Sequence, residues 1–333
     1  MIFHPAVIAL LLGSALVTLM ILYSATHGIR ILQRWDLRSG SELQLELERK
    51  TYLLSTIMSY VFGFQLISFF LFIFTEDELH ALFVGAMCAA GTLNANVYGY
   101  PAILLKVVNF LLAGTWLIMN YTDNRAYDYP LVRKKYFLLA IIAPLVIAES
   151  VLLGAHFFSL KTNIITSCCG SLFSPEEGGI ASEIASLPSM PMKIIFYLSM
   201  GLTLLSGARF YLRGRTGVFF SVMSTLTFFV AAASLISFIS LYFYELPTHH
   251  CPFCILQKEY GYVGYLLYIA LLCGAVSGLG VGAITPFRNV RSLAGIIPAI
   301  QKKLALTALL CYLLFTLIVT YRMLFSDFVL EGY

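Results

Sequence analysis

His249–Ile284 reads HHCPFCILQKEYGYVGYLLYIALLCGAVSGLGVGAI, and its two halves decide what kind of chain this is. From Tyr260 to Ile284, 25 consecutive residues carry no charge. A helix of about 20 apolar residues is long enough to cross a hydrocarbon core of roughly 30 Å. Directly before this run stands Cys251-Pro252-Phe253-Cys254, so a dithiol is expected where the chain enters the membrane. Outward from it, similar apolar runs recur at 5–23, 52–74, 101–119, 137–158, 194–212, 218–244 and 304–325. With 260–284 they make about eight spans. The composition agrees: 59% hydrophobic and 11% charged residues describe a chain solvated mostly by lipid. The expected fold is all-α, a polytopic transmembrane helical bundle, with no stretch left for a soluble domain and no call for nucleic acid as a partner. The first run has no basic segment before it and is read as a retained helix, not a signal peptide.

Lys and Arg are retained in cytoplasmic loops. The loops after spans one, three, five and seven hold Arg30, Arg34, Arg38, Arg49, Lys50, Arg125, Arg133, Lys134, Lys135, Arg209, Arg213, Arg215, Arg288, Arg291, Lys302 and Lys303. The intervening loops are acidic, with Glu76, Asp77, Glu78, Glu176, Glu177, Glu183, Glu245 and Glu259. Both termini and every loop cysteine are therefore expected outside, and a bacterial inner membrane is the expected location.

Of the seven cysteines, Cys273 and Cys311 fall within spans, where a thiol behaves as a small apolar group. Cys88, Cys168, Cys169, Cys251 and Cys254 cluster on the outer side, where disulfides can persist. In Cys-x-x-Cys one helical turn separates the sulfurs, and the positive end of the helix favours a thiolate. Pro252 suits a first turn, and Lys258 adds a cation one turn below Cys254. A purely structural disulfide is the plain alternative. The adjacent Cys168 and Cys169 close on one another only with strain, so they are expected to serve different partners. Their loop carries Gly178, Gly179, Pro175, Pro188 and Pro191.

This order of parts resembles the vitamin K epoxide reductase family of membrane thiol oxidoreductases. The match rests on Cys251-Pro252-Phe253-Cys254-Ile255-Leu256 and on Ser167-Cys168-Cys169-Gly170-Ser171-Leu172-Phe173-Ser174, and it involves spans four to seven. Cys251 to Lys258, Cys-x-x-Cys-x-x-Gln-Lys, is also similar to the Cys-x-x-Cys-x-x-Gln-Arg of the bacterial disulfide-generating protein DsbB. Both resemblances imply dithiol oxidation coupled to reduction of a quinone, ubiquinone or menaquinone, within a four-helix bundle. They imply Cys254 facing the quinone, Cys251 exchanging with the loop, and Cys168 or Cys169 meeting an exported thioredoxin-like or other thiol protein. Lys258, Gln257 and Tyr262 would hold the quinone, with Tyr260 and Tyr265 also at that depth. Under this reading no metal is needed. The corresponding partition is 1–136 as an N-terminal membrane region, 137–284 as the four-helix bundle, and 285–333 as a loop and last span.

Cys88-Ala89-Ala90-Gly91-Thr92-Leu93-Asn94-Ala95-Asn96-Val97-Tyr98-Gly99-Tyr100 can be laid beside Cys251–Tyr262 with one gap, matching Cys88 to Cys251 and the Gly-Tyr ends. It reads as a degenerate repeat, and weak internal symmetry is common in membrane proteins. Ionisable groups in lipid are costly and so are functional candidates. Glu149 lies midway along span four, His156 seven residues on, and Lys106 in span three. They form either a proton relay or, for Lys106 and Glu149, an ion pair locking two spans. The rival class is metal handling: His249, His250, Cys251 and Cys254, with Cys88 added, are donors suited to zinc or Cu(I), as in a soft-metal transporter or permease subunit. A non-catalytic subunit docking a membrane complex would need only the helices.

Overall fold

The computed structural model describes residues 2–36, 39–161, 165–166, 180–328 and 330. Cys168 and Cys169, with the rest of the expected relay motif, lie outside the described residues.

The chain is helical: α1 (Pro5–Arg34), α2 (Glu42–Leu79), the short α3 (Ala89–Leu93), α4 (Gly99–Asp123), α5 (Val132–Ser159), the short α6 (Ile180–Ala185), α7 (Ser189–Arg213), α8 (Gly217–Ser234), α9 (Ser240–Tyr244), α10 (Val263–Ile284) and α11 (Ile297–Phe325). A π-helical turn, Leu235–Ile239, joins α8 to α9. Among the described residues there is no sheet, only an isolated parallel bridge between Val84 and Ile165. Among the described residues eight helices are long and apolar enough to cross a membrane, which makes this an integral membrane protein. Each contains one of the apolar runs read from the sequence, apart from the first residues of 260–284. Several extend past those runs, because polar ends such as Glu42–Lys50 continue the helix. Leu12, Leu205, Phe229 and Leu310 each leave more than half of their surface open. Lipid tails satisfy such a surface and water does not.

The chain divides into two compact units, 1–75 with 96–160 and 283–300, and 76–95 with 161–282 and 301–333. These boundaries differ from a partition at 136 and 284. The reason is that α5 packs on α1 and α4, so the expected four-helix bundle of spans four to seven is split between units.

The first unit is centred on Val17, Ile21, Phe62, Trp116, Tyr136, Leu139 and Val146. Two sets of buried polar groups join its helices. Glu149 Oε1 accepts from Lys106 Nζ at 2.7 Å and Gln65 Nε2 at 2.9 Å, and Oε2 accepts from Asn109 Nδ2 at 2.6 Å and Gln65 Nε2 at 2.7 Å. Further along the same two helices, Lys135 Nζ pairs with Asp123 Oδ2 at 2.8 Å and donates to Asn120 Oδ1 at 2.9 Å. Lys135, expected in a loop from its sequence position, is 1% exposed within α5. Lys106, Asn109, Trp116, Asn120 and Asp123 recur at three- and four-residue spacings or their sum, which aligns them on one face of α4.

In the second unit α10 packs through glycines. A Cβ at Gly278 would lie 1.9 Å from Ser224 Oγ, and one at Gly282 2.3 Å from Ser221 Oγ. Small residues let membrane helices approach closely in this way. Tyr312 OH donates to the Ser224 carbonyl at 2.9 Å across the same seam. This packing fixes the helix that follows the dithiol.

Candidate functional site

The segment from α9 to α10 is built around its own backbone. Glu245 adopts a left-handed conformation (φ 56°) and ends α9. Cys254–Leu256 and Lys258–Tyr260 form two 3-10 turns, and left-handed Gly261 (φ 63°) and Tyr262 (φ 55°) separate them from α10 at Val263. The tetrad is therefore not in the first turn of the membrane helix, contrary to the expectation from its sequence position. Two successive left-handed residues interrupt the helix, and a macrodipole acts only over its terminal turn. Lys258 is exposed instead of lying beneath Cys254.

Tyrosines brace the tetrad from two sides. Tyr244 OH donates to the Cys251 carbonyl at 2.5 Å and accepts from the Ile255 N–H at 2.9 Å. Tyr268 OH donates to the Pro252 carbonyl. His250 Nδ1 lies 2.9 Å from the Ile236 carbonyl in the π-helical turn. A carbonyl only accepts, so this nitrogen carries the proton. π-turns inside helices frequently mark functional sites; this one anchors the loop before the tetrad.

Three sulfurs meet here. Cys88 Sγ is 3.5 Å from Cys251 Sγ, and the sulfurs of Cys88, Cys251 and Cys254 all lie within 4.8 Å of one another. They are 0%, 0% and 5% exposed. His249 Nε2 stands 3.3 Å from Cys254 Sγ, and the Phe253 N–H points at Cys251 Sγ from 3.4 Å. Cys88 is separated from Cys251 by 163 positions and arrives on the arm 83–95. There it caps α3, with the Gly91 N–H returning to its carbonyl at 2.9 Å. Gly85 (φ +91°) turns the arm so tightly that a Cβ would lie 2.4 Å from the Thr166 carbonyl.

The metal-ligand set from the sequence is thus assembled in part. The sulfurs of Cys88, Cys251 and Cys254 converge, His249 adjoins Cys254 without joining the group whose donors all lie within 4.8 Å of one another, and the Nδ1 of His250 is engaged with Ile236. Of the expected quinone-binding residues, Gln257 turns its amide to Asp77 Oδ1 (3.1 Å) and the Met87 carbonyl (2.8 Å), while Lys258 and Tyr262 are exposed. Tyr260 packs edge-on against Tyr244 with ring centroids 4.9 Å apart. Burial, and then charge at Cys254, pushes its phenol up, so it borders the site as a neutral hydroxyl at neutral pH.

Of the proposed proton-relay residues, Lys106 and Glu149 form a direct ion pair. His156 lies two turns further along α5, roughly 10 Å by helical rise. Its Nδ1 is 2.9 Å from Asn96 Oδ1, and its ring contacts Phe72 and Phe157. Sequence reasoning missed Gln65, Tyr244 and the Asp77–Gln257 contact. Gln65 and Tyr244 sit in apolar runs where one polar atom is easily overlooked, and Asp77 and Gln257 are too far apart in sequence for spacing to signal contact.

Comparison with known proteins finds no matching family model, no similar curated protein and no similar solved structure.

Proposed function

We propose that this membrane protein holds a soft metal ion, Cu(I) or Zn(II), on Cys88, Cys251 and Cys254 with His249 as fourth donor, and that it handles such an ion at the membrane surface. The observation that carries the reading is the third thiol brought from a distant segment to the tetrad. A redox Cys-x-x-Cys needs two sulfurs, whereas three sulfurs and an imidazole nitrogen make a complete tetrahedral set. With metal–sulfur bonds of about 2.3 Å, tetrahedral donors stand roughly 3.8 Å apart. The Cys88–Cys251 sulfur contact of 3.5 Å comes within a few tenths of an ångström of that spacing. Burial also favours it: an incoming dithiol must reach a sulfur directly, and none of the three is open. On this reading the basic loops face the cytoplasm, and the centre lies outside with both termini, in a bacterial inner membrane.

The test is to load the purified full chain anaerobically with Cu(I) or Zn(II), remove unbound ion, and count metal per chain. One ion per chain, lost in Cys251→Ser and Cys254→Ser, is expected. No retained metal from a protein whose thiols all remain reduced would overturn the reading.

A second reading is favoured by the close Cys88–Cys251 contact. Cys251 and Cys254 give two electrons and two protons to a quinone, forming a disulfide and a quinol; Cys88 as thiolate then attacks Cys251, and Cys254 leaves as thiolate. Here the chain is a thiol-disulfide oxidoreductase like the families it resembles, with a thioredoxin-like partner meeting Cys168 or Cys169. Mass mapping of the cysteines before and after an oxidised quinone analogue decides it. A quinone-dependent disulfide supports this reading, and unchanged thiols rule it out.

A further inference from the structure

The arm 83–95 must hold Cys88 in one place for three sulfurs to act together, and the contacts on either side of this residue are specific. The carbonyl before it, on Met87, accepts from Gln257 Nε2 at 2.8 Å. The N–H after it, on Ala89, donates to Asp77 Oδ1 at 3.3 Å. Gln257 Nε2 also donates to that same carboxylate oxygen at 3.1 Å. The peptide groups flanking Cys88 are thus both tied to one side-chain pair. Fixing both planes sets the direction of the Cα–Cβ bond and limits where Sγ can reach.

The other end of the clamp is tied to the tetrad. The Gln257 N–H donates to the Cys254 carbonyl at 3.0 Å, closing the 3-10 turn that begins at Cys254. The Gln257 carbonyl accepts from the Tyr260 and Tyr262 N–H groups, each at 3.2 Å. A short ring of bonds and contacts therefore runs from Cys254 through Gln257 to Met87, Cys88, Cys251 and back to Cys254. Both N–H bonds of the Gln257 amide are used, and its acceptor on Asp77 is a carboxylate, which strengthens the bond.

We infer that Asp77 and Gln257 are positioning residues that hold Cys88 as the third sulfur ligand, so that the site takes a soft metal ion on three thiolates rather than on the Cys-x-x-Cys pair alone. The inference rests on the metal-binding reading above. Groups that orient metal ligands typically change affinity by about 10- to 100-fold when removed.

The test uses the full chain, loaded anaerobically with Cu(I), with affinity measured by chelator competition and sulfur coordination by X-ray absorption. Gln257→Leu is expected to lower affinity about 10- to 100-fold and reduce the sulfur count from three to two, with Cys251 and Cys254 still bound. Asp77→Leu should behave alike, while Asp77→Asn, which keeps an oxygen acceptor, should stay near wild type. In a Cys88→Ser background Gln257→Leu should have no further effect, a result that general loss of folding would not give. If Gln257→Leu does not fold, the Asp77→Leu and Asp77→Asn pair carries the same comparison. Three sulfurs and unchanged affinity in both leucine variants would overturn the clamp while leaving the metal site standing. A wild-type chain that binds no metal would instead remove the reading beneath it.

Discussion

The first unit's buried carboxylate and the second unit's buried thiols treat low dielectric in opposite ways. Glu149 takes hydrogen bonds from Lys106, Gln65 and Asn109, so its charge is matched and both oxygens are engaged. Such a set is closed. Cys88, Cys251 and Cys254 are equally buried, but their sulfurs gather within 4.8 Å of one another, which on the metal-binding reading makes them a soft donor set. That set is open to something stronger than a hydrogen bond. The comparison separates a polar cluster that locks helices from one that invites a ligand.

The sharpest way to break the contrast is to remove donors from the open set. Cys251→Ser or Cys254→Ser should abolish stoichiometric metal retention, read by elemental analysis of the desalted protein, with the helical content unchanged by circular dichroism. Removing one partner of the closed set should act on stability instead. Lys106→Met leaves Glu149 buried without its counter-charge, and loss of one partner of a buried pair costs about 3–5 kcal/mol. Unfolding in detergent should show that loss, and Lys106→Met with Glu149→Leu should recover much of it, as paired apolar replacements often do. Metal stoichiometry in the double variant should match wild type. A smaller effect is expected from Tyr244→Phe, which takes away one hydroxyl bridging the Cys251 carbonyl and the Ile255 N–H. Its loss should cost about 1–3 kcal/mol, visible as a lower unfolding midpoint of the metal-free protein. Smallest of all, His249→Ala should keep three sulfurs on the metal and lose only the nitrogen contribution, seen by X-ray absorption.

The spans were legible because each is a long apolar run, and hydrocarbon accepts only such runs as continuous helix. Their polar extensions were not, since Glu42–Lys50 is helical without being greasy. Lys106 and Glu149 stood out for the cost of charge within lipid, but Lys135 did not. It lies at the edge of an apolar run beside Arg133 and Lys134, where it reads as one more loop cation, although Asp123 takes it into the interior. At the site, Cys251, Cys254 and His249 were visible from their tight spacing. Cys88 was visible as an outer-side cysteine and a candidate metal donor, but its contact with Cys251 Sγ at 3.5 Å was not, since 163 positions separate the two. The break at Gly261 and Tyr262 was hidden because a left-handed tyrosine has no sequence signature, so the tetrad looked like the start of a helix.

X-ray absorption at the metal edge of the loaded, full-length protein tests the central claim most directly. The account predicts one ion per chain with three sulfurs at about 2.3 Å and one nitrogen at about 2.0 Å. A first shell of oxygen and nitrogen alone, or metal-free protein whose Cys251 and Cys254 become a disulfide when quinone is added, would contradict it.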